Sequence, residues 1–184
     1  MVTWLESIKT ELDGGLTIQW KAFSLEQQNN QEGADFRIWE RQDYPSRGVL
    51  ALVASKAALN QGDSSFLNFH MATFEALHDK GEDISDGEVL RDIAKNVGLD
   101  LEQFDQDMKR DETWRIVGED HTESKKKYNV FGVPTFIFGR GQAVYVKLES
   151  IPESREERDS LFQLIYDMGA EKTYLLELKR PDAL

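Results

Sequence analysis

One block of helical pattern, from about residue 47 to residue 127, sits between strand-like segments on either side of it. Val49 to Asn60 is rich in Ala, Leu and Val and ends at Gly62. Asp63 to Lys80 carries Phe66, Phe69, Ala72, Phe74 and Leu77 and ends at Gly81. Ser85-Asp86-Gly87-Glu88 has the capping-box spacing, in which Ser85 accepts from the backbone at Glu88 and Glu88 reaches back. The helix it starts runs to Val97 and stops at Gly98. Asp100 then caps a short helix containing Leu101, Phe104 and Met108, and a further helix covers Glu112 to Lys127.

The flanks carry the β signal. Met1, Trp4, Leu5, Ile8 and Leu12 fall on one face of an opening helix, which Asp13-Gly14-Gly15 breaks. Leu16 to Phe23 alternates apolar and polar residues and predicts a half-buried strand. Asn29 to Ser46 predicts a loop with a short ordered piece near Phe36-Arg37-Ile38-Trp39. After the helices, Pro134 to Phe138 predicts a strand, Gly139-Arg140-Gly141-Gln142 a hairpin connection and Ala143 to Leu148 a second strand. Pro152 sets the start of a last helix, Glu153 to Met168, closed by Gly169, with Thr173 to Leu178 as a final short strand. The order is helix, strand, helical block, strand, strand, helix: an α/β chain with a helical insertion.

Charge and composition narrow the function. The formal net charge is −12, so there is no surplus of cations to displace counterions from a phosphate backbone, and nucleic acid is not expected as a partner. Lys125-Lys126-Lys127 follows the acidic run Glu119, Asp120, Glu123 and reads as the last turn of a helix, where cations meet the negative end of the dipole. No stretch is apolar enough to span a bilayer, no secretory signal is visible, and a cytoplasmic protein is expected. The 184 residues contain no cysteine, which excludes disulfides, Cys–zinc sites and thiolate nucleophiles in this chain. His70 and His78 do not meet the His-Glu-x-x-His spacing of a zinc protease. His121, beside Glu119, Asp120 and Glu123, reads as part of a solvated face. Trp4, Trp20, Trp39 and Trp114 read as core or groove walls, and no Gly-rich phosphate loop or Gly-x-Ser-x-Gly elbow is present.

Val130-Phe131-Gly132-Val133-Pro134-Thr135-Phe136-Ile137-Phe138 is the most specific motif. It resembles the segment of thioredoxin-fold proteins in which a cis proline opens the strand after the helical insertion. A cis X–Pro bond occurs in only about 5–6% of such bonds in folded proteins. Ile18 to Glu26, Phe69 to Leu77 with Asp83 to Asp86, and Val97-Gly98-Leu99-Asp100 followed by Phe104 are similar, in the same order, to DsbA-like proteins. The branch they resemble contains the FrnE-like proteins and the 2-hydroxychromene-2-carboxylate isomerases.

The resemblance implies a thioredoxin-like domain from residues 1–24 and 128–184, with a mainly helical insertion over 25–127. It implies a substrate-binding groove at Gly132, Val133 and Pro134, with Ser24 after the second strand lining it. No catalytic residue and no metal ligand is expected in this chain. In the family, a first strand leads to a Cys-Pro-x-x motif at the start of the first helix. Met1 falls inside the helix that looks equivalent, so the first sheet strand and the thiol are expected to be missing, as from an internal start of a longer product. Such a strand would lie between 16–23 and 134–138, and its absence would leave two open strand edges unless 173–178 or a partner chain filled the place. The implied function is a relative of thiol–disulfide oxidoreductases without a redox cysteine. The alternatives are a glutathione-dependent isomerase or transferase relative, with glutathione the one cofactor in view, and a non-catalytic module binding a peptide or small thiol ligand.

Overall fold

The computed structural model describes residues 2–11, 15–139 and 142–177. Its elements, in chain order, are α1 (Val2–Glu11), α2 (Leu25–Gln28), a 3-10 turn (Ile38–Glu40), α3 (Val49–Leu59), α4 (Asp63–His78), α5 (Gly87–Asn96), α6 (Leu101–Lys109), α7 (Asp111–Tyr128), β1 (Thr135–Ile137), β2 (Ala143–Tyr145) and α8 (Arg155–Tyr166), which runs into a π-helical turn (Asp167–Glu171). They form two compact units, Gln19–Ser124 and Met1–Ile18 with Lys125–Leu184.

The helical unit is organised around α3. This helix buries Val49, Ala51, Val53, Ala54, Ala57 and Ala58, so it is covered on several sides, as a helix apolar around its circumference must be. On one side Ala51, Ala54, Ala57 and Ala58 meet Phe69 of α4, Leu90 of α5 and Phe104 of α6. On another, Val49 and Val53 meet Ala22, Ile38, Trp114 and Val117. Gly118 on α7 gives the Trp39 indole its seat, because an added Cβ would collide with the ring. Asp86, not Ser85, caps α5: its carboxylate accepts from the Glu88 N–H, while the Ser85 hydroxyl donates to Asp83 in a local turn. Asp100 caps α6 as the sequence suggests.

Residues 16–23 do not form the expected strand. Leu16, Ile18 and Trp20 are half-buried and Thr17, Gln19 and Lys21 exposed, so the period of two survives. A strand also needs a neighbour, and the one sheet among the described residues contains only β1 and β2. The end of this segment is instead held by side chains of α7 and α3. The Ala22 N–H donates to Asp120 Oδ2 at 2.9 Å and the Ser24 N–H to His121 Nδ1 at 3.2 Å. Lys21 Nζ lies 2.9 Å from Asp120 Oδ1, and Lys56 Nζ 2.5 Å from Asp120 Oδ2. Asp120 and His121 are both buried, which corrects the reading of this run as a solvated face. Lys21 has its pKa raised, chiefly by its hydrogen bond to Asp120.

In the second unit, α1 buries Trp4, Leu5 and Ile8. Trp4 meets Phe136 of β1 and Phe162 of α8 edge-on, each at 6.4 Å between ring centroids. β1 and β2 pair antiparallel, with Phe136 opposite Val144. Val144 and Val146 are buried, while Ala143, Tyr145 and Lys147 on the other face are exposed. Both strands are shorter than predicted. Ser154 caps α8, accepting from the Glu157 N–H and donating to the Glu157 carboxylate. Gly169 lets the π-helical turn close on Phe138 and Val144. Residues 173–177 form a turn and an unpaired segment rather than a last strand. Met1, Leu12, Asp13, Gly14, Arg140, Gly141 and Leu178, named in the sequence readings, lie outside the described residues.

Removing Asp120 leaves the buried ammonium of Lys56 without its counter-charge and the Ala22 N–H without an acceptor. Asp120→Ala is expected to destabilise the protein by about 3–5 kcal/mol in urea unfolding. Glu119→Ala, at an exposed neighbour, should stay within about 0.5 kcal/mol. Equal effects of the two would refute the buried-anchor account.

Candidate functional site: the turn before β1 and its strand edge

The motif at 130–138 folds as a turn running into β1. Val130 is buried and anchors it. The Thr135 hydroxyl donates to the Gly132 carbonyl at 2.7 Å and closes it. The Val133–Pro134 peptide bond is cis.

The ladder fixes which backbone groups remain open. The Val146 N–H donates to the Pro134 carbonyl at 3.1 Å, and the Phe138 N–H to the Gln142 carbonyl at 3.3 Å. Positions 134, 136 and 138 therefore face β2, and the alternation of an antiparallel pair turns the N–H and C=O of Thr135 and Ile137 to the opposite edge. No strand pairs on that edge among the described residues. Val133 continues the open row, and its backbone makes no hydrogen bond among the described residues. Val133 is 43% exposed and Ile137 37%, while Thr135 is half-buried.

An aromatic pair joins the turn before β1 to β2, on the side of β1 away from this edge. The Phe131 and Tyr145 rings lie 5.0 Å apart, and Phe131 is 61% exposed. A Cβ at Gly132 would lie 3.1 Å from the Tyr145 ring, so glycine leaves that ring its room. The sequence reading found Gly132, Val133 and Pro134 but not this pair. The alternation of Ala143, Tyr145 and Lys147 with Val144 and Val146 was the signal for it.

Ser24 lies in the helical unit and is buried. Its hydroxyl accepts from the Gln27 N–H and caps α2. Sequence reasoning missed Asp120 and His121, although Trp114, Val117, His121 and Ser124 share one helical face and all four are buried. Among the described residues no group of three or more His, Cys, Asp or Glu side chains is placed to hold a metal ion, and no helix is long and apolar enough to cross a membrane.

The fold and this turn agree with the sequence profile of the DSBA-like thioredoxin domain, which matches residues 4–152. The chain belongs to that family. It is similar to the ClpXP adapter protein SpxH of Bacillus subtilis (strain 168), with 39% identity over 75 residues, 40% of this chain and 25% of the relative. It is also similar to the uncharacterized protein Rv2286c of Mycobacterium tuberculosis, with 29% identity over 179 residues, 97% of this chain and 74% of that protein. The match to the adapter protein thus spans only a quarter of its length.

His70 sits on α4 in a row of rings. It stacks on Phe66 at 5.3 Å and packs against Phe74 at 4.9 Å and Trp20 at 6.0 Å. Burial lowers its pKa below the usual 6.5. The folded state therefore prefers neutral His70, and the stability this confers is present above pH 6.5 and lost as pH falls through the lowered value. Unfolding measured from pH 7 to 5 should show less loss of stability in His70→Leu than in the parent. Identical pH slopes would place His70 in water.

Proposed function

We propose that this chain is a docking member of the DSBA-like family, which holds an extended peptide by its backbone and performs no thiol chemistry of its own. The single observation that carries the reading is the open row of backbone donors and acceptors at Val133, Thr135 and Ile137. An extended peptide laid there would complete the ladder that β2 completes on the other side, the mode by which sheet edges take up strands. Gly132, Val133 and Pro134 shape the entry, and Val133, one step before the strand, is the position nearest solvent. In the resembled fold a first strand runs along Thr135–Ile137, and such a strand would leave Val133 as the ligand contact. The relation to thiol–disulfide oxidoreductases lies in the turn at Gly132, Val133 and Pro134. The chain contains no cysteine to act as nucleophile.

The adapter activity in the name of the B. subtilis relative is in keeping with a docking role, though the match covers a minor part of that protein. Pairing through a few backbone hydrogen bonds, each worth about 0.5–1.5 kcal/mol net, gives affinity on the order of millimolar.

The test is amide chemical-shift mapping with a capped pentapeptide of alternating threonine and valine, and with the same peptide N-methylated along its backbone. The plain peptide should shift the Val133, Thr135 and Ile137 amides, and the N-methylated one should not. Equal shifts from both, or none at these residues, would reject edge pairing. Glutathione serves as the small-thiol probe: saturable shifts at Val133 from it alone would move the assignment to the isomerase branch.

A further inference from the structure

Helix α4, in the helical unit, carries a second apolar face that its core contacts do not use. The buried face is Phe66, Phe69, Thr73 and Ala76. At about 3.6 residues per turn, Leu67, His70, Met71, Phe74 and Leu77 fall together on the adjoining third of the helix. Phe74 is 51%, Met71 41% and Leu77 39% exposed, and Leu67 and His70 are half-buried. Rings run along this face: Phe74 packs on His70 at 4.9 Å and on His78 at 5.5 Å, and Trp20 meets His70 at 6.0 Å. Scattered surface hydrophobics need no explanation, but a continuous stripe over several turns marks a surface made for contact.

The ends of the stripe are polar and of opposite kind. Asp63, in the first turn of α4, and His78, in its last, lie on the same line as Phe74. Both are exposed, and neither has an ion pair or side-chain hydrogen bond among the described residues. The polar side of the helix differs, because Glu75 there is paired with Lys80 at 3.1 Å. Positions 63, 67, 70, 74 and 77 are spaced by four and three in turn, the spacing of a seam between two helices.

Read in reverse, the stripe is its own complement. Laid antiparallel on a second copy, Asp63 meets the partner's His78, Leu67 meets the partner's Phe74, and His70 meets the partner's Met71. An imidazole can donate to a carboxylate in either protonation state, and a thioether packs well against a ring. A parallel pair would instead set two Asp63 carboxylates together at one end. We propose that this face of α4 is a self-association surface, occupied by α4 of a second copy in an antiparallel, two-fold symmetric pair. The inference is independent of the edge-pairing reading. The helix has 16 residues and is about 24 Å long, so the contact falls at the low end of interface sizes and the pair is weak and reversible.

Sedimentation velocity of the full chain, from about 1 μM to about 1 mM, reads the association. A monomer–dimer equilibrium with a midpoint on the order of 100 μM is expected, and the amides of residues 67–78 should shift on dilution. Phe74→Asp should weaken the dimer at least about tenfold, because it sets a charge in the seam. Asn68→Asp, on the polar side of the same helix, should leave it unchanged. Asp63→Arg and His78→Glu should each weaken the dimer, and the two together should restore it, because an antiparallel pair brings each new charge against its opposite. All four positions are exposed, and circular dichroism with a thermal midpoint checks the folding of each variant. A chain that sediments as a monomer at every concentration would overturn the pairing and leave the stripe to a different protein. A dimer that persists in Phe74→Asp would place the contact elsewhere, and failure of the double variant to recover would reject the antiparallel register.

Discussion

A buried backbone N–H or C=O must find a partner, and the two units of this chain meet that demand in opposite ways. In the helical unit, no strand among the described residues pairs with the segment before α2, and side chains stand in for one. Asp120 accepts from the Ala22 N–H and two lysines, and His121 accepts from the Ser24 N–H. A carboxylate bound by several donors can take the place of a strand only if it is held rigidly. Helix α7 holds it, with Trp114 and Val117 packed into the core on the same face. The second unit answers the demand by half. β2 satisfies one side of β1, and no strand among the described residues takes the groups on the other side.

This contrast explains why the two parts differ in what they can do. In the helical unit Glu26 takes the N–H groups of Arg47 and Gly48 and the Ser46 hydroxyl at the entry to α3, and Asp107 takes Asn60 and Arg110. A two-stranded hairpin is marginal alone and survives here because α1 and α8 cover one face through Trp4, Phe136 and Phe162. That cover stabilises the hairpin without occupying its edge.

Much of this was legible in the sequence. The helices of the insertion follow from their Gly stops and their spacing of apolar residues, and the family from the Gly-Val-Pro-Thr-Phe turn with its flanking segments. What could not be read depended on partners distant in sequence. Alternation at 16–23 is identical whether a strand or a carboxylate nearly a hundred residues away takes up the backbone, so the predicted strand failed on hydrogen bonding and not on burial. Asp120 and His121 looked like members of an acidic, solvated run because charge dominates that stretch, whereas the buried face passes through it every three or four residues. The capping box at Ser85 lost to Asp86, which reaches the same helix start with a charged acceptor. Phe131 and Tyr145 come from separate segments, and only the register of β1 on β2 brings them together.

The open edge is the claim on which the functional account stands, and amide hydrogen exchange of the unliganded chain tests it most directly. Ala22 and Ser24, bonded to buried side chains, and Phe138, bonded across the hairpin, should exchange slowly, while Val133 and Ile137 should exchange close to the rate of an unstructured peptide. Protection at Val133 and Ile137 equal to that at Phe138 would mean the edge is already occupied and would contradict the account.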